Sequence, residues 1–384
     1  MGVVRTVSRW GVAELTDALA GAVDVELGSD GVGDWCQPWR LPTADLELHH
    51  PALTLSAMCP SGVRLRLRTA SRQVRLEADQ VLLVAGLPAF EAPYDLLVDG
   101  VPAQRGSVRP VPDGVEFLGL PAGDKALEIW LPILPGIRIR GLRALDGLPL
   151  LPAPADRRPR WTVYGSSITH GWDTSPARTW PAVAARILGR SVTNLGYSGA
   201  CLLDPLVARV IAEQPTEHIA LEIGINIHNT AALRSRTLLP VLHGFLATIR
   251  SRRAHVPITV IGPVFGGARE ESVVACGQEE VWEVSGDLTL GEIRGLLREA
   301  VRLLRKRGDT ALTWIDGRQL FGAADAAAGG LPDGLHPDAA GQLRMGERFA
   351  VLQSGFGAGA NSGQWAPRQS SESVRNQSGS RKGH

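Results

Sequence analysis

From about residue 20 to 145 polar and apolar residues follow a period of two, strictly so in several runs. Val63 to Arg68 reads apolar, basic, apolar, basic, and Val74–Glu77, Leu127–Trp130 and Ile137–Arg140 repeat the period. A period of two puts one apolar face on a core and one charged face in water. Turn signals separate the runs at Pro60–Gly62, Asp99-Gly100, Pro112–Gly114 and Pro121–Gly123. Many short strands divided by regular turns predict an antiparallel β-sandwich over residues 1–145, with the arginine stripes on its solvated face. Residues 146–160 hold four prolines and little periodicity, the texture of a stiff linker.

From residue 161 the period changes. Apolar runs at Trp161–Tyr164, His218–Ile223, Ile258–Ile261 and Leu312–Ile315 alternate with helical segments. The clearest helix is Leu290 to Leu304, with apolar residues at i, i+3, i+4 and i+7, opened by Thr289 and Glu292 as a capping box. Strands alternating with helices predict a parallel sheet covered by helices over residues 161–354, an α/β domain. In such sheets the site lies at the carboxyl ends of the strands. Residues 355–384 are rich in Gly, Ser, Gln and Arg, the composition of a disordered tail.

Composition narrows the function classes. The net charge of +1 calls for neither nucleic acid nor an anionic membrane. Four basic residues and one acidic residue lie in the tail, which leaves the folded body slightly negative. Arginine supplies all but three of the 40 basic residues, a sign of GC-rich coding rather than of chemistry. Cys36, Cys59, Cys201 and Cys276 show no zinc spacing and no disulfide framework. No signal-peptide core and no run of 18 apolar residues occurs, so a cytoplasmic location is expected.

Chemistry collects at the predicted strand ends. Tyr164 to Gly171 reads Tyr-Gly-Ser-Ser-Ile-Thr-His-Gly. A serine at a strand-to-helix turn there faces free backbone N–H groups that favour an anion, although a plain helix-capping serine reads the same way. The second apolar segment ends in Asn194 to Gly199, the third runs into Gly224-Ile-Asn226, and Asp333-x-x-His336 precedes the last helix, which starts near Ala339. A carboxylate three residues before a histidine can accept the imidazole Nδ1–H and fix its tautomer. Each piece alone is weak. In this order they supply a nucleophile, oxyanion donors and an oriented base.

The four blocks resemble those of the SGNH hydrolases, the broad group of GDSL-type esterases and lipases, over about residues 160–353. The resemblance implies a flavodoxin-like α/β/α fold. It also implies Ser167 as nucleophile, His336 as base and Asp333 as its orienting carboxylate. The oxyanion hole would be the N–H groups of Ser167 and Gly199 and the side chain of Asn226. The preceding sandwich is similar to the jelly-roll domain of some two-domain bacterial carbohydrate deacetylases. Two positions depart from the family pattern: Ser166 stands where Asp is usual, and Ile227 follows Asn226 where Asp is usual. A polar contact from His228 or Asn229 is one replacement for the second. His170 and His228 line or flank the pocket, with too few partners for a metal. Trp172 is the better candidate for substrate contact and Trp180 for core, and Cys201 reads as a buried thiol. Pro263–Gly267 is expected as pocket wall.

These readings converge on a serine esterase acting through an acyl-enzyme without metal or cofactor. The expected substrate is a short acyl ester of a sugar, polyol or other small molecule. An acyltransferase with the same residues, and a glycan-binding protein with a degenerate hydrolase domain, are the alternatives.

Overall fold

The computed structural model describes residues 7–81, 92–103, 106–274 and 287–357. Cys276 and the tail beyond residue 357 lie outside the described residues.

The period-two region folds into two antiparallel sheets. One runs in the order Asp24–Asp30, Gly33–Trp39, Gly136–Ala144, Val74–Val81, Gly114–Phe117, Val108–Val111, with Arg9–Trp10 added against Gly136–Ala144. The other runs Leu150–Pro152, Arg64–Thr69, Lys125–Trp130, Asp95–Val98, Val101–Pro102, with Leu19–Ala20 on Arg64–Thr69. The apolar set of each run points inward: Leu65, Leu67, Leu76, Ile129, Ile137 and Ile139 are all buried in one core. Each such side chain contributes about 1.5–3 kcal/mol by leaving water.

Three expectations for this half need correction. The proline-rich stretch 146–160 is not all linker, because Leu150–Pro152 pairs with Arg64–Thr69 as an edge strand. A helix, Pro51–Met58, interrupts the strands. Its Pro51 at the first turn and His50 at the N-cap, accepting from Ala52 N, are helix-start signals that the surrounding alternation masks. The arginine stripes are not simply solvated either. Arg140 bridges Asp30 and Asp79, and Arg75 bridges Asp113 and Glu116. Arg64 is fully buried against the second half of the chain, donating to Val192 O at 3.0 Å and Ser191 Oγ at 2.8 Å.

The second half is an α/β/α layer structure. Five parallel strands, Arg160–Gly165, Ser191–Gly196, His218–Glu222, Ile258–Ile261 and Leu312–Ile315, lie in the spatial order second, first, third, fourth, fifth. This is the flavodoxin-like order, with its switch point between the first and third strands. The central strands are buried on both faces because helices cover both. Trp180–Ile187 packs with Ala339–Gly357, and Ser235–Arg252 with Pro205–Glu213 and Leu290–Lys306. Trp180 is core: its ring and Trp161 and Phe349 form one buried aromatic cluster. The capping box of the Leu290 helix is present, with Thr289 Oγ accepting from Glu292 N at 3.1 Å and Glu292 accepting from Thr289 N at 2.9 Å. Among the described residues no helix is long and apolar enough to cross a membrane.

Candidate active site

The carboxyl ends of the first three strands meet at the switch point, where Gly165 lies beside Gly196 and Tyr164 beside Leu221 in register. The first strand ends at Gly165 and turns at once into the short helix Ser167–His170. A Cβ at Gly165 would fall 2.3 Å from Thr169 Oγ1, so only glycine permits so abrupt a turn. Ser166 is the helix N-cap and accepts from Ile168 N at 3.2 Å. The capping reading of this turn is therefore realised on Ser166, which leaves Ser167 as the first residue of the helix.

Ser167 Oγ donates to His336 Nε2 at 2.8 Å, and His336 Nδ1–H donates to Asp333 Oδ2 at 2.6 Å. The carboxylate only accepts, which fixes the proton on Nδ1 and leaves Nε2 free to take the serine proton. The other Asp333 oxygen accepts from the backbone N–H of His336 at 2.7 Å and of Leu335 at 2.9 Å. Desolvation opposes ionisation of Asp333, but the hydrogen bonds from His336 and Leu335 outweigh it and bring the pKa down to about 2. The carboxylate is thus charged at every pH where the imidazole works as a base.

Two backbone N–H groups of the candidate oxyanion hole lack an acceptor among the described residues: that of Ser167, at the helix start, and that of Gly199. Gly199 adopts φ +71°, a left-handed conformation suited to glycine. Asn226 sits in the first turn of the helix Ile225–Thr230, immediately after the third strand. Its Oδ1 accepts from Cys201 N at 3.1 Å. That bond identifies the oxygen, ties the Asn226 side chain to the Gly199–Cys201 loop and leaves Nδ2 as a donor. Ser167, His336 and Asp333 are therefore joined by hydrogen bonds, and Asn226 is tied to the loop that carries Gly199.

The remaining candidates divide. The Trp172 ring stacks on His336 with centroids 5.5 Å apart and stays 39% exposed, at the mouth of the site. His228 is buried, its Nε2 bonded to Ser272 O and its Nδ1 beside Asn229 Oδ1, so its ring nitrogens are occupied. With Asn229, Arg269 and Ser272 it lines an open cavity of about 520 Å³. Wall residues on that side come from Ala268 to Val274, just beyond the expected Pro263–Gly267. Cys201 is buried, with its thiol toward Glu222 O at 3.5 Å.

Two residues outside the sequence blocks matter. Glu222, fully buried at the end of the third strand, accepts from Ser166 N, Ser166 Oγ and Thr169 Oγ1. Burial raises its pKa against these hydrogen bonds. A carboxyl group thus supports the Ser166 position, supplied by a neighbouring strand rather than by an Asp in the turn. The signal was a Glu inside an otherwise apolar strand, a placement that needs a partner. Arg269 donates to Gly334 O at 2.9 Å and pins the turn that carries Asp333 and His336. Ile227, in the other departing position, is core.

Residues 163–344 match the GDSL-like Lipase/Acylhydrolase family, and residues 18–140 match the N-terminal domain of SsfX3. The solved structure of salicylyl-acyltransferase SsfX3 from a tetracycline biosynthetic pathway is 30% identical, with TM-score 0.78, covering 92% of this chain and 98% of that one. The chain belongs to the GDSL-like lipase/acylhydrolase family. Its two-domain form, with an SsfX3-type β-sandwich before the SGNH domain, extends along nearly the whole of that relative. A structure described as a GDSL-like lipase from Bacteroides ovatus is 20% identical, with TM-score 0.69, covering 91% of this chain and 97% of that one. A family two carbohydrate esterase from Clostridium thermocellum, solved with cellohexaose, is 16% identical, with TM-score 0.57, covering 78% and 94%. These last two share the fold. No curated protein matches the sequence.

Proposed function

We propose that the protein is a serine acyltransferase that forms an acyl-enzyme on Ser167 and passes the acyl group to a small-molecule alcohol. The observation that carries the chemistry is the continuous relay from Ser167 Oγ through His336 to Asp333. The preference for transfer over hydrolysis rests on the full-length similarity to salicylyl-acyltransferase SsfX3. In the first half-reaction His336 Nε2 takes the Ser167 proton as Oγ attacks the acyl carbonyl. The tetrahedral oxyanion is held by the N–H groups of Ser167 and Gly199 and by Asn226 Nδ2, and the imidazolium then protonates the leaving group. In the second half-reaction the acceptor alcohol loses its proton to His336 and displaces Ser167. Transfer to water by the same steps is hydrolysis.

Hydrolysis of a short-chain ester is the second reading, and an open rim favours it: Trp172 is 39% exposed and the Asp333 side chain 47% exposed. The test is partitioning. An activated aryl ester is turned over with and without a panel of phenols and polyols, and products are resolved by mass. Transfer predicts an acyl-acceptor product that grows with acceptor concentration at the expense of free acid. Free acid alone across the panel contradicts transfer and leaves the esterase.

A further inference from the structure

Residues 194–198, which lead the second strand into the oxyanion loop, are held almost residue by residue by the β-sandwich domain. The Arg40 guanidinium is fully buried and donates to the carbonyls of Asn194 and Gly196, as well as to those of Ser56 and Cys59 in its own domain. It lies over the Tyr197 ring, whose hydroxyl donates to Arg40 O at 2.6 Å. Asn194 Nδ2 donates to Ser61 Oγ at 3.2 Å. Ser198 N–H donates to Ser56 Oγ at 2.8 Å, from the helix Pro51–Met58.

The last of these bonds belongs to a chain. His170, three residues after the nucleophile on the same short helix, is buried, with Nε2 at 3.0 Å from Ile133 O of the sandwich domain. A carbonyl only accepts, so the proton is on Nε2 and Nδ1 is an acceptor. Ser56 Oγ and Arg40 Nη2 both lie 3.3 Å from it. Burial, reinforced by the Arg40 charge, lowers the His170 pKa to about 3, so the ring stays neutral and keeps this polarity. Ser56 Oγ therefore accepts from Ser198 N–H and gives its own proton to His170.

We propose that Ser56 is a positioning residue for the oxyanion hole, contributed by the β-sandwich domain and oriented by His170. By holding Ser198 N–H it sets the direction of the next peptide, whose Gly199 N–H faces the oxyanion. The proposal rests on the Ser167 acyl-enzyme reading and assigns the N-terminal domain a role in completing the site, whatever else its surface binds. Arg40 and Ser61 hold the same segment in place, but neither touches the Ser198 peptide.

The test compares full-length Ser56→Ala with Ser61→Ala, which weakens the same seam without touching that peptide. Both are measured for kcat and KM on 4-nitrophenyl acetate, for inhibition by phenylboronic acid, whose serine adduct is tetrahedral, and for Tm. Ser56→Ala is expected to lower kcat about 10- to 100-fold, the scale of a small misplacement. KM should stay within about twofold, and the boronate inhibition constant should rise by the same factor as kcat falls. Ser61→Ala, with a comparable loss of Tm, is expected to keep kcat within about threefold. Unchanged kcat in Ser56→Ala, or losses that track Tm equally in both variants, overturns the proposal. Failure of the boronate to inhibit the wild type overturns the Ser167 reading itself, before Ser56 is at issue.

Discussion

Ser166 gives both its backbone N–H and its hydroxyl to one oxygen of Glu222, at 2.9 and 2.8 Å, while its Oγ also caps the helix that presents Ser167. Two adjacent serines thus do different work. Ser166 builds the turn, and Ser167 faces His336.

The first prediction separates them. Ser167→Ala is expected to cost about 10³-fold or more in kcat. Ser166→Ala removes a cap and a donor to a buried carboxyl, so it is expected to lower stability by about 1–2 kcal/mol and kcat by no more than about tenfold. Steady-state kinetics with denaturant melts checks both. Equal kcat losses would reverse the assignment.

The second concerns pH and Glu222. Its native pKa is raised by burial, whereas in the unfolded chain it titrates near 4.3. The native state therefore holds a proton that the unfolded state has released, and stability falls as pH rises from about 4.3 through the native pKa. Glu222→Gln keeps an acceptor for Ser166 and abolishes this slope. Thermal melts at pH 5 and pH 8 should show a smaller decline between the two for the variant than for the wild type. The difference is the readout, because the new amide N–H₂ occupies the place of Oε1, which has no partner among the described residues. An unchanged slope would count against a protonated Glu222.

The third concerns the oxyanion. Asn226→Ala removes one donor and is expected to lower kcat about 10²–10³-fold with little change in KM. Asn226→Asp puts a carboxylate in the same place and should be at least as damaging, since it accepts where the intermediate needs a donor. A loss confined to KM in either variant would show that Asn226 binds the ground state instead.

The fourth concerns Trp172. Its ring covers His336 and remains partly exposed, so it is placed to contact the acceptor or leaving group. Trp172→Ala is expected to raise the KM of an aromatic acceptor about tenfold, the scale of one lost aromatic contact. The share of product released as free acid should rise with it. Acceptor titrations followed by product analysis read both numbers. A KM unmoved by the substitution would place the acceptor elsewhere.

The architecture was legible because both halves announce their period. Ile258–Ile261 and Leu312–Ile315 coincide with strands residue for residue, and the Leu290 helix begins at its predicted cap. The triad was legible because its members come from two short contiguous blocks, one at the end of the first strand of the parallel sheet and one just before the last helix. What stayed hidden depends on contacts between distant segments. Arg64 and Arg66 look alike in an alternating run, yet Arg64 is fully buried, because another domain covers it. Glu222 sits 56 residues from Ser166 and shares no motif with it. Ser56 lies on a helix that the surrounding β pattern conceals, 142 residues from the amide it holds. No local periodicity encodes such pairings.

The central claim is a covalent intermediate on Ser167, and intact-protein mass spectrometry tests it most directly. Mixing the protein with excess 4-nitrophenyl acetate and quenching in acid within the first turnovers should show one added acetyl group. Peptide mapping should place it on Ser167. The adduct should be absent from Ser167→Ala, retained by Ser166→Ala and discharged faster when an acceptor alcohol is added. Turnover without an adduct, or an adduct that survives in Ser167→Ala, would contradict the account.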